Sequence, residues 1–116
     1  MQLTRGTVLL INLNPTKGSE TGKIRPCVIV TNDFYNEKTP IIQVVPLTAW
    51  SEKKALIITN IVIETSEENG LSKTSIADCL QTRPIDHKER VVRIVGKLSK
   101  ETMNKIDIAL KIIFDL

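Results

Sequence analysis

The chain has 116 residues, of which 41% are apolar and 25% charged, and a formal net charge of +3. This balance is ordinary for a folded soluble protein, and the mild positive charge permits an anionic partner without demanding one. No run approaches the ~18 apolar residues of a membrane span, and Met1-Gln2-Leu3-Thr4-Arg5-Gly6 lacks the basic-then-apolar order of a signal peptide. A single domain over residues 1–116, cytoplasmic and away from the membrane, is therefore expected. Cys27 and Cys79 sit far apart inside apolar stretches and read as buried free thiols.

In chain order, Thr7 to Leu13 reads as a strand, with Val8, Leu10, Ile11 and Leu13 supplying its apolar positions. Residues 14–26 then form a polar loop with glycines at Gly18 and Gly22. It ends on Arg25, which the following Pro26 holds extended. Cys27 to Val30 is apolar on both faces and reads as a central strand. Phe34 to Pro40 reads as a connection anchored by Phe34 and Tyr35. Ile41 to Val45 is a third strand stopped at Pro46, Leu56 to Ile63 a fourth, and Thr65 to Gly70 a turn.

Shorter strands over Ser75 to Leu80 and Val91 to Lys97 complete the set, with Asp86-His87-Lys88-Glu89-Arg90 as a solvated charged loop. Ser99 caps a helix running to about Phe114. Met103, Ile106, Leu110 and Ile113 form its apolar stripe, widened by Ala109, Ile112 and Leu116. Glu101–Lys105 and Asp107–Lys111 are set as i,i+4 pairs on the wet side. The expected architecture is mostly β, a small barrel or strongly bent sheet closed by a C-terminal helix.

Most catalytic constellations are missing. His87 is the lone histidine and the cysteines are scattered, so neither a metal site nor a cofactor is expected, and no glycine-rich phosphate loop or nucleophile elbow is present. RNA cleavage tolerates this, because the substrate carries its own nucleophile in the 2′-hydroxyl. The protein need only splay the strand, align that hydroxyl and stabilise charge on the phosphate. Arg25 offers forked donors for phosphate oxygens, and Thr48, in Val45-Pro46-Leu47-Thr48 at a strand end, offers a hydroxyl.

Five segments in order resemble the MazF/PemK toxins, the endoribonucleases of bacterial toxin–antitoxin pairs. They are Gly18-Ser19-Glu20 with Arg25-Pro26, Val45-Pro46-Leu47-Thr48, Asp78 before Gln81-Thr82, and Gly96-Lys97-Leu98-Ser99 with its helix. The resemblance covers essentially the whole chain. It implies an SH3-like barrel, a homodimer and a cognate antitoxin that docks as a flexible acidic segment on the loop. It also implies metal-independent cutting of single-stranded RNA, leaving 2′,3′-cyclic phosphate and 5′-hydroxyl ends.

On the same resemblance, Arg25 and Thr48 fall on catalytic positions. A guanidinium is almost never deprotonated, so Arg25 suits a clamp or proton donor better than a base. Glu20 and Asp78 remain the candidates for proton transfer, unranked. One branch of the family pairs the position of Asp78 with an arginine, whereas Ile76 and Ala77 stand here. Ala49 replaces a serine common after the threonine.

Other readings stay open. Asn14, Thr16, Lys17 and Ser19 in the loop are candidate RNA contacts, as are Lys53 and Lys54, although a solvated face explains lysines equally. Trp50 could stack a base or wall the domain, and Asp78 could be a buried structural carboxylate. The alternative function is a non-catalytic barrel acting by binding, either a gyrase poison or a decayed toxin. Ile113-Phe114-Asp115-Leu116 lacks the tryptophan–glycine–isoleucine ending of such poisons.

Overall fold

The computed structural model describes residues 3–116. Strands β1 (Thr7–Asn12), β2 (Ile24–Ile29) and β3 (Ile41–Ala49) are followed by β4 (Asn60–Ile63), β5 (Ser75–Asp78), β6 (Arg83–Asp86) and β7 (Val91–Lys97). Helices α1 (Asp33–Lys38), α2 (Glu52–Ala55) and α3 (His87–Arg90) are short, and α4 (Lys100–Phe114) is the one long helix. A 3₁₀ turn spans Cys79–Gln81. All pairings are antiparallel, in the order β4-β5-β3-β2-β1-β7 with β6 on β3. The sheet is strongly bent but not closed, because β4 and β7 stand at its two edges. Of the two expected forms, the bent sheet is the one found.

Alternation along the strands divides the core. Val8, Val28 and Val45 point to one face and join Leu47, Met103 and Ile106 under α4, whereas Leu9, Cys27, Ile29 and Val44 point to the other and join Leu3, Ile42 and Ile85. This is why β2 reads as apolar on both sides. Helix α4 starts where Ser99 Oγ accepts the Thr102 amide at 3.1 Å. Met103, Ile106 and Ala109 are buried, with Leu110 and Ile113 packed beside them. Truncating the fully buried Ile106 to alanine costs about 2–5 kcal/mol on general grounds. Ile112 and Leu116, expected in the stripe, are exposed at 50% and 91%. Asp107 does not pair with Lys111 but forms an ion pair with Arg5, while Glu101–Lys105 forms at 3.9 Å.

Four local expectations change. The connection after β2 holds α1, because the Asn32 side chain accepts the Phe34 amide and caps a helix. Phe34 and Tyr35 lie on α1, more than half exposed, edge to face at 5.4 Å. Strand β3 does not stop at Pro46. It runs to Ala49 because Pro46 falls in the gap between its pairing with β6, which ends at Val44, and with β5, which begins at Leu47. A missing N–H costs little at such a change of partner.

Ser51 Oγ accepts the Lys54 amide at 3.2 Å and turns the chain into α2. The fourth strand therefore begins only at Asn60, and Leu56 and Ile58 are left 82% and 79% exposed. Finally, the charged segment around His87 is α3, and β6, unforeseen, precedes it.

Candidate active site

The loop after β1 is a folded object. Its base closes where the Leu13 amide donates to Lys23 O at 2.9 Å, and the Lys23 amide donates to Asn14 Oδ1 at 2.9 Å. Lys23 takes a left-handed backbone at φ 69 to do so. Gly22 must be small, because a Cβ there would lie 2.6 Å from Thr16 Oγ1 and 2.8 Å from Asn14 Oδ1. At the tip, the Lys17 amide donates to Glu20 Oε1 at 2.7 Å and the Glu20 amide to Lys17 O at 3.2 Å.

Two arginines prop the base from below. Arg83 Nη1 donates to Leu13 O at 3.1 Å, and Arg90 Nη1 donates to Asn12 O and Asn14 O at 3.0 and 2.6 Å. Gln81 ties the far side: its Nε2 donates to Ser19 O at 3.1 Å, and its Oε1 accepts the Thr21 amide at 3.2 Å.

Between this loop, the end of β3, α2 and the 3₁₀ turn lies an open groove of about 650 Å³. Arg25, the second residue of β2, lines it half-buried, and its Nε donates to Gly22 O at 2.8 Å. Among the described residues the two terminal guanidinium nitrogens have no hydrogen-bond or ion-pair partner. Thr48 also lines the groove. It is only 8% exposed, and its Oγ1 is buried with no partner among the described residues. A buried hydroxyl without a partner is costly, on the order of 1–3 kcal/mol, and is uncommon in a folded interior.

Asp78 closes the wall. Burial pushes its carboxyl above the ordinary value of 3.8, against the pull of the Gln81 and Leu80 backbone amides and the Lys54 ammonium. Burial likewise pushes both thiols up to about 12, so Cys27 and Cys79 are inert.

The groove therefore gathers Arg25, Thr48, Glu20 and Asp78, together with Asn14, Thr16, Ser19 and Lys54. Lys17, Trp50 and Lys53 lie outside its lining. Trp50 is 48% exposed beyond the end of β3. Arg90, read from sequence as part of a solvated charged loop, is engaged under the loop after β1. Sequence reading missed Thr21, Gly22, Lys23 and Gln81 as lining residues. Lys23 lies two residues before Arg25, and Gln81 stood in the motif after Asp78, but neither position by itself indicated a place in the groove. His87 borders a different concavity of about 530 Å³ beside α1. Among the described residues no three His, Cys, Asp or Glu side chains converge into a metal cluster.

Residues 4–114 match the model of the PemK-like, MazF-like toxins of type II toxin–antitoxin systems. The chain belongs to this family. It is 40% identical over 111 residues to the endoribonuclease MazF of Staphylococcus saprophyticus, covering 93% of this chain and 91% of that one. It is 35% identical over 112 residues to the endoribonuclease EndoA of Bacillus subtilis, covering 97% and 94%. Among solved structures, MazF from Deinococcus radiodurans superposes with a TM-score of 0.84 at 17% identity, over 100% of this chain and 99% of that one. A mycobacterial endoribonuclease in complex with its cognate antitoxin superposes with a TM-score of 0.73 at 22% identity, over 99% and 95%. At those identities the structural likeness shows the PemK/MazF fold alone. No helix among the described residues is long and apolar enough to cross a membrane.

Proposed function

We propose that this PemK/MazF-family chain is an endoribonuclease toxin that cuts single-stranded RNA by way of the substrate's own 2′-hydroxyl. The observation that carries the reading is the pairing, in one groove, of a fixed guanidinium with free terminal N–H groups and a buried threonine hydroxyl without a partner. Such groups are preorganised to meet charge that develops on a phosphate. The Staphylococcus and Bacillus relatives, endoribonucleases by name, support the same reaction class.

In this mechanism Arg25 donates to the non-bridging phosphate oxygens while its Nε stays anchored to Gly22 O. Thr48 donates to a non-bridging oxygen of the crowded pentavalent phosphorus centre. The 2′-oxygen bonds to phosphorus as the bond to the 5′-oxygen breaks, giving a 2′,3′-cyclic phosphate and a 5′-hydroxyl. Asp78 takes the 2′ proton, because a carboxyl raised by burial is the better base, whereas Glu20 is already engaged by the Lys17 amide. The departing 5′-oxygen takes a proton from solvent while Arg25, still charged, stabilises the phosphate, and Asp78 returns its proton to solvent. Lys54 and Lys23, with the loop residues Asn14, Thr16 and Ser19, guide the flanking strand, and Trp50 stacks a base beyond the groove. No step needs a metal or cofactor.

The same groove suits a cognate antitoxin presenting a flexible acidic segment, which blocks RNA by occupying the site. The exposed Leu56, Ile57 and Ile58 beside edge strand β4 support a homodimer that covers them, and light scattering in solution reads its mass directly. The test of the reaction is cleavage of a long unstructured RNA in EDTA by wild type and Arg25→Ala, with the new ends mapped. Cuts at a short recurring sequence bearing 5′-hydroxyls are expected from wild type. The variant should be slower by about 10²–10³. Equal rates in the two proteins would remove Arg25 from the mechanism.

A further inference from the structure

The groove is built from two parts of the chain that no strand pairing joins, the loop before β2 and the 3₁₀ turn after β5. Among the described residues, the side-chain hydrogen bonds between them are made by one amide. Gln81 Nε2 donates to Ser19 O at 3.1 Å, and Gln81 Oε1 accepts the Thr21 amide at 3.2 Å, so donor and acceptor are both engaged across 60 residues of sequence. The residue after Thr21 is Gly22, and its carbonyl is the acceptor that holds Arg25 Nε at 2.8 Å. At the other end of the turn, three residues earlier, stands Asp78.

We infer that Gln81 is a positioning residue: its carboxamide latches the loop to the 3₁₀ turn and so fixes Arg25 opposite Asp78. This rests on the ribonuclease reading of the groove, but the latch itself has a readout that needs no RNA. The physical case is that a polar two-glycine loop has little apolar area to hold it against the wall; Arg83 and Arg90 prop its base, and the Gln81 pair is what ties its far side to the 3₁₀ turn. Holding Nε through the loop matters because it leaves the terminal guanidinium edge aimed and free. A displacement of about 1 Å in such a group can cost on the order of 10² in rate. Glutamine suits the task because one end must donate to a carbonyl and the other accept from an amide. A carboxylate of the same shape can only accept.

The experiment compares wild type, Gln81→Ala and Gln81→Glu at pH 8. Amide hydrogen exchange at Thr21 is followed by NMR without RNA, and kcat and KM are measured on a short RNA containing the mapped cut site. Gln81→Ala is expected to exchange Thr21 faster, by about tenfold or more, and both variants to lower kcat by about 10–100-fold with KM changed less than threefold. Gln81→Glu is expected to fail like alanine, although it fills the same space.

Restoration by glutamate would show that Gln81 acts by packing, and would overturn the latch. A raised KM with unchanged kcat would make Gln81 an RNA contact instead, and would overturn it equally. Unchanged Thr21 exchange in Gln81→Ala would refute it whatever the kinetics. Were wild type inactive on RNA, the ribonuclease reading would fall, while Thr21 exchange would still decide whether the latch exists.

Discussion

Arg5 and Arg25 are both half-buried arginines beside strand ends, and their surroundings use them in opposite ways. Arg5 is tied down: its backbone amide donates to Asp33 Oδ1 at 2.6 Å, its Nε donates to Val30 O at 2.9 Å, and one terminal nitrogen pairs with Asp107 of α4. Among the described residues Arg25 makes one bond, through Nε, and keeps the rest of its fork open to a groove that also holds an unpartnered threonine hydroxyl and a desolvated carboxyl. One corner fastens the long helix to the sheet, and the other leaves polar groups unsatisfied. Groups that a fold tolerates without satisfying are where a ligand adds something the chain cannot supply to itself.

That contrast can be broken from either side. After Arg25 itself, the largest effect is expected at Asp78. Asp78→Asn should slow cleavage by about 10²-fold if the carboxylate takes the 2′ proton. It should also stabilise the protein at neutral pH, and the sign follows from linkage. The folded carboxyl binds its proton more tightly than the unfolded one, so wild-type stability falls as pH rises from the ordinary value of 3.8 through the raised one. Denaturant midpoints for the two proteins should separate at pH 7 and converge below that ordinary value. A midpoint for Asp78→Asn below wild type at pH 7 would mean that the carboxylate is structural.

Thr48→Val keeps the shape and removes the orphaned hydroxyl. Cleavage should drop about tenfold or more while thermal stability holds or rises by up to about 1 kcal/mol. Arg5→Ala should do the reverse, losing about 1–2 kcal/mol of stability, with cleavage below its melting temperature unchanged. Reduced cleavage by a fully folded Arg5→Ala protein would erase the distinction between the two corners. The smallest effect is expected at Lys54, where substitution by alanine should flatten the dependence of log K for RNA on log salt by about 0.7, one phosphate's worth.

The parts of this molecule legible in its sequence were those dictated by period and by charge. Strand β7 was found at its observed bounds and α4 within a residue, because branched residues and a three–four apolar stripe leave little choice. Arg25 and Thr48 could be singled out because the proposed chemistry needs such groups at a loop and a strand end, and both line one groove. Helices α1 and α2 were hidden, since a single capping side chain rather than a pattern creates each of them. Strand β6, with Arg83, Pro84 and Asp86 around one apolar residue, shows no alternation, and β3 supplies its order from outside. The apolar residues 56–58 looked like strand because their exposure is invisible in a hydropathy pattern. Gln81 could be read in the sequence only as part of a motif after Asp78, and its bonds to the loop could not, because the partner lies 60 residues away.

The props beneath the loop carry a consequence for the order of synthesis. Leu13 and Asn14 emerge from a ribosome early, yet the guanidinium groups that hold their carbonyls belong to Arg83 and Arg90, and the far wall of the groove to Asp78 and Gln81. A nascent chain ending at Ala77 contains Arg25 and Thr48 but has neither wall nor props. A toxin wired in this way has no assembled groove until the segment from Asp78 to Arg90 has left the ribosome that made it.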